Sequence, residues 1–112
     1  MTRLKAIQLQ GTVLEPIGSI THDARTAVSK ICVGIDDMKL LGNKALVFSA
    51  EIYPPKLKAL FADLASIGIK LSRQGLPDME SLQEKMEYPL SIHIISFSED
   101  TDRLVNVPKV PG

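Results

Sequence analysis

Residues 45–53 read ALVFSAEIY and run directly into a proline pair, Pro54-Pro55. Leu46, Phe48, Ala50 and Ile52 make one unbroken apolar row. The alternate positions carry Val47, Ser49, Glu51 and Tyr53. Side chains alternate across a strand, so this segment is expected to be a strand with one face in a core and the other available. Proline lacks an N–H, and the first helical turn has no intrahelical partner for one. Pro54-Pro55 is therefore expected to open a helix. Leu57, Leu60, Phe61 and Leu64 form its apolar stripe, and Gly68 is placed to stop it.

The rest of the chain supplies partners for that strand and helix. Within residues 4–14, Ile7, Leu9, Gly11 and Val13 fall on one side and Gln8, Gln10 and Thr12 on the other. This predicts a half-buried first strand. Glu15 to Ser19 read as a loop. A helix follows, with Thr21 as the expected N-cap, Asp23 in its first turn and Ala24, Ala27, Val28, Ile31 and Ile35 inward. Gly34 is expected near its end. Residues 36–41 are short and ambiguous, and Gly42-Asn43 reads as a two-residue hairpin turn. Residues 69–72 allow a short strand. Asp78 is expected to cap a third helix, with Met79, Leu82 and Met86 inward, Glu80, Glu84 and Glu87 outward, and Pro89 ending it. Residues 90–97 form a last strand. Leu104, Val105 and Val107 allow an edge strand, which Pro108 and Pro111 bar from a central position.

Strand and helix alternate in the order β-α-β-β-α-β. That is the split arrangement of ferredoxin-like domains, here with an added short helix and a possible C-terminal edge strand. The expected fold is an α+β two-layer sandwich: one domain over residues 1–104, with a proline-containing tail at 105–112. Right-handed crossovers put both main helices on one face of a mostly antiparallel sheet. The first strand is expected in the centre, flanked by the 45–53 strand and the last strand. A fold shared by many functions says little about any one of them.

Composition narrows the roles. The chain has 112 residues, 45% of them apolar, enough to bury roughly two thirds of its unfolded surface. Thirteen basic residues balance thirteen acidic ones, with no basic run, so nucleic-acid binding is not expected. An RNA-binding sheet stacks bases on central aromatics, and the first strand offers Gln8 and Gln10 instead. No segment approaches the roughly 20 apolar residues of a membrane span, and the N-terminus lacks a signal-peptide core. The expected location is cytoplasmic. Cys32 is the single cysteine, so no internal disulfide and no multi-cysteine metal site is possible.

No sequence motif names an activity. Phosphate-binding loops and the Gly-x-Ser-x-Gly setting of a hydrolase are absent. Cys32 falls near a helix C-terminus, the wrong end for a stabilised thiolate, and reads as a packing residue. His22 reads as a loop residue at a helix start. His93, tuned by Glu51, has the chemistry of a general acid or base, although an ordinary sheet histidine is the simpler reading. The acidic stripe Glu80, Glu84 and Glu87 reads as a solvated face. Neither a metal nor a cofactor is expected, and no catalytic residue is assigned.

The candidate site is the sheet face that the helices leave open. Gln8, Gln10, Ser49, Glu51, Tyr53, Ser91 and His93 are expected there as a ligand-binding set. Glu51 and His93 should lie about 10 Å apart across Gln10. The expected role is a non-catalytic small-ligand-binding or interaction module that self-associates through this face as a homodimer, forming a closed barrel. A small enzyme using His93 and Glu51, or a protein-docking adaptor, are the alternatives.

Overall fold

Five strands and two helices follow one another through residues 6–72 and 82–97, the parts that the computed structural model describes. They are β1 (Ile7–Val13), α1 (Ile17–Ile31), β2 (Gly34–Leu41), β3 (Ala45–Ile52), a single 3-10 turn (Pro54–Lys56), α2 (Leu57–Ile67), β4 (Lys70–Ser72) and β5 (Tyr88–Ser96). The strands form one mixed sheet in the order β2-β3-β5-β1-β4. Three neighbouring pairs are antiparallel, and β1 and β5 are parallel.

Both helices pack on the same face, where Lys30 of α1 reaches Asp63 of α2 at 3.0 Å. Beneath them lie the inward residues of three strands: Ile7, Leu9 and Val13; Leu46, Phe48, Ala50 and Ile52; Leu90, Ile92 and Ile94. The helices answer with Ile17, Ile20, Ala24, Ala27 and Val28, and with Leu57, Leu60 and Leu64. Every one of these side chains is buried. Phe61, expected in the same layer, is only half-buried. It follows Leu60 by 100° around the helix, which carries it to the margin of the buried stripe.

Helix ends differ from expectation in instructive ways. α1 begins at Ile17, one turn before Thr21, because Ile17 and Ile20 extend the buried stripe and Pro16 presets the entering backbone at φ −59°. Thr21 is therefore inside the helix, and its hydroxyl donates to the Ile17 carbonyl at 2.7 Å. At the other end Gly34 and Ile35 belong to β2 rather than to the helix. α2 closes as expected. Gly68 takes φ 104°, its N–H donates to the Ala65 carbonyl, and the N–H of buried Ile69 donates to that of Leu64. This left-handed close suits glycine because no Cβ is present to clash.

The hairpin between β2 and β3 pairs Leu41 with Ala45, so its turn has three residues, Gly42 to Lys44, not two. The segment expected as a third helix lies partly outside the described residues, at 73–81. From Leu82 to Glu87 the chain makes turns and bends, with the Gln83 N–H donating to the Tyr88 hydroxyl at 2.9 Å. Pro89 does not end a helix there; it sits in β5, opposite Glu51. The suggested C-terminal edge strand and the tail also lie outside the described residues.

The main correction concerns strand order. The ferredoxin-like arrangement puts β1 beside β3; here β5 is inserted between them. Setting β5 aside leaves β2-β3-β1-β4, so the two crossover units keep their relation while the last strand occupies the middle. Hydrogen bonds at the end of β5 secure it on both sides. The Ser96 N–H donates to the Lys44 carbonyl and the Phe97 N–H to the Val13 carbonyl, both at 2.8 Å, while the Ser96 hydroxyl donates to the Glu15 carbonyl.

Candidate functional site

The open face follows from strand parity and register. Reading across the sheet from β2, one row runs Leu41, Ala45, Ile95, Thr12 and Lys70. The next runs Lys39, Val47, His93, Gln10 and Ser72, and the third Asp37, Ser49, Ser91 and Gln8. A last row holds Glu51 and Pro89. Over β2, β3 and β5 the face thus grades from apolar at the hairpin end to polar and acidic at the opposite end, with Tyr53 just beyond.

Six of the seven expected site residues lie in β1, β3 or β5 at positions facing away from the helices, and Tyr53 follows β3 directly. They do not form one site. Gln8, Gln10, Ser91 and His93, with the edge of Leu9, line a depression of about 130 Å³. Ser49 borders it from β3, paired with Ser91. All the polar groups here are neutral amides, a hydroxyl and an imidazole. They offer donors and acceptors without a fixed charge.

Glu51 and Tyr53 belong to a different neighbourhood. His93 faces Val47, and Glu51 faces Pro89, four residues farther along the same strand pair. Four residues of strand and one interstrand step separate Glu51 from His93 by about 14 Å. The expected distance of about 10 Å across Gln10 is therefore corrected: Gln10 lies on the far side of β5. Direct proton transfer between the two side chains is out of reach at that distance.

Glu51 instead meets Asp36 at the point where β2 bulges between Ile35 and Asp37. A hydrogen bond to the Asp36 carboxyl, loss of hydration and the charges of Asp36 and Glu87 all hold the Glu51 carboxyl above its ordinary range. The Tyr53 hydroxyl donates to Glu87 Oε2 at 3.1 Å, and that bond raises the Tyr53 pKa. Asp36 and Glu87 were not among the expected site residues. The bulge that turns Asp36 toward Glu51 leaves no mark in a strand pattern, and the sequence pattern places Glu87 on a helix. The Tyr88-Pro89-Leu90 alternation was the available signal that a strand starts there.

Two further places complete the survey. A wide trough of about 570 Å³ runs between α1 and the edge strand β2, lined by Arg25, Ser29, Gly34, Ile35, Asp36, Asp37 and Met38. Cys32 is buried just beyond α1, and burial together with the Glu51 charge pushes its thiol up to about 11. Such a thiol is almost wholly protonated at neutral pH and a poor nucleophile. Among the described residues no three His, Cys, Asp or Glu side chains are grouped to hold a metal, and no helix is long and apolar enough to cross a membrane. Compared with models of known protein families, with characterised proteins and with solved structures, the chain gives no significant match.

Proposed function

We propose that this protein is a non-catalytic, small-ligand-binding or interaction module that self-associates through its open sheet face. The observation that carries the reading is the composition of that face. A polar depression lies beside exposed apolar side chains on one face of the five-stranded sheet. Exposed apolar surface next to convergent polar groups is the usual make-up of a surface that meets a ligand or a partner.

The proposed ligand is a small polar molecule held by the Gln8 and Gln10 amides, the Ser91 hydroxyl and the His93 imidazole, with Ser49 at the border. A weakly basic group reaching along β3 would meet Glu51 and Tyr53. A single buried thiol suits a reducing, cytoplasmic setting. The enzyme alternative is weakened by the separation of Glu51 from His93.

A screen of small polar compounds by chemical-shift perturbation tests the site. Hits should shift the amides of Gln10 and His93 and lose affinity in Gln10→Ala and His93→Ala. Equal affinity in both variants for every hit would place the ligand elsewhere, the α1–β2 trough being the next candidate.

A further inference from the structure

We infer that the partner for the open face is a second copy of this chain, docked only through the apolar end of the sheet. This rests on the self-association reading above but replaces its closed barrel with a narrower contact. Leu41 at 56% exposed and Ile95 at 45% lie in the same cross-sheet row, at the two flanks of Ala45. Phe97, one residue past β5, is 57% exposed, and Leu14, one residue past β1, is 80% exposed. The Phe97 N–H donates to the Val13 carbonyl, so these last two residues leave the sheet side by side.

Area supports a second copy as the occupant. The four side chains expose roughly 450 Å² per copy, within the roughly 300–600 Å² of the largest apolar patch on a monomer, a patch that is often functional. Two copies, with Ala45, Val47 and Thr12 at the margin, would bury about 1,000 Å², the lower bound for a specific interface. An apolar patch is also complementary to itself, as a two-fold contact requires.

Charge then selects the axis. A two-fold along the strands would bring the Asp36, Glu51 and Glu87 corners of both copies together, with like charges opposed. One across the strands at mid-sheet would press Phe97 against Glu51 and strip water from a carboxylate. An axis across the strands just outside the Ala45–Ile95 row, between that row and Phe97 and Leu14, avoids both. Glu51 is six residues from Ala45, about 20 Å along β3, so the acidic corners point outward at opposite ends. The Gln8, Gln10, Ser91 and His93 depressions then stay open at the rim, one on each copy.

Sedimentation velocity on the full chain tests the contact, with folding of each variant checked by circular dichroism. Ile95→Lys and Leu14→Lys should each weaken dimerisation about a hundredfold by forcing a charge into the contact, whereas Ser49→Lys should leave it nearly unchanged. A dimer lost in Ser49→Lys and kept in Ile95→Lys would preserve self-association and overturn this inference. A wild-type monomer at millimolar concentration would overturn both. So would a monomer that dimerises only when Leu104 and Val107 are changed to Asp, since the chain's own C-terminal residues would then be the occupant. Oxidative cross-linking in a Cys32→Ser background reads the axis: Ile95→Cys should form covalent dimer and Glu51→Cys should not. Equal cross-linking at Glu51→Cys would overturn the axis.

Discussion

Covered and open faces are built from the same three strands, residue by residue in alternation, yet they are governed by different physics. On the covered face Phe48, Leu46, Ile92 and Ile94 are fully buried and each must fit its neighbours. Packing there is close to crystalline density, so shape is constrained to within a methylene group. On the open face Val47, Ser49, Ser91 and His93 answer to water or a partner. Adjacent positions of one strand should therefore respond to substitution on different scales.

The largest expected effect is Phe48→Ala, which empties a fully buried site at the centre of the sheet and should cost about 3–5 kcal/mol in urea unfolding. Its neighbour Val47→Ala should cost about 1 kcal/mol or less, since less area returns to water. Similar losses at the two positions would mean that β3 is turned the other way.

Gly11 sharpens the comparison at the far side of the sheet. It lies on the covered side of β1, where a Cβ would stand 2.7 Å from Ile69 Cγ2 and 3.1 Å from Leu71 Cδ2. Leu71 Cδ2 ends a flexible side chain and can yield, but Ile69 Cγ2 is the branch methyl of a buried residue and cannot readily do so, so Gly11→Ala should cost about 1–3 kcal/mol through overpacking. A gain in stability would show that the β1–β4 margin is looser than these distances.

A smaller effect belongs to the acidic corner of the open face. The folded protein holds the Glu51 carboxyl above its usual range. A raised carboxyl pKa means that the folded state binds this proton more tightly than the unfolded chain. Its stabilising contribution is complete below the unfolded pKa and is lost as pH rises through the folded one. Glu51→Gln should therefore raise stability slightly at neutral pH and have no such benefit in acid. Thermal midpoints of both proteins across that range check it; a benefit confined to acid would reverse the assignment.

The smallest change is expected at Cys32. Its protonated, buried thiol should react slowly with a disulfide reagent at neutral pH and quickly once the chain is unfolded. Rapid labelling of the native protein would show that the α1–β2 corner opens readily.

Most of the strands and both helices were legible because periodicity is a local property. The alternation in β1, β3 and β5 and the stripes of α1 and α2 reflect which side of each element meets apolar neighbours, and that is written residue by residue. β2 was harder to read. Its pattern Gly34-Ile35-Asp36-Asp37-Met38 breaks phase at a bulge, and an edge strand with exposed Leu40 and Leu41 has no clean apolar face. The expected third helix does not form over Leu82 to Glu87, where turns satisfy the spacing of Leu82 and Met86 as well as a helix would.

The site was half legible for the same reason. Parity placed Gln8, Gln10, Ser49, Glu51, Ser91 and His93 on one face with no knowledge of the sheet. Parity carries no information about which strand lies next to which. That depends on contacts between residues far apart in the chain, such as Leu9 beside Ile92 and Phe48 beside Ile92. Local sequence therefore determined the elements, their inward faces and the polar character of the open one. Only the tertiary structure put β5 between β3 and β1, and that insertion set His93 beside Val47, parted Gln10 from β3 and left Glu51 opposite Pro89. Strand order is a competition among long-range pairings, decided by the summed burial of whole strands.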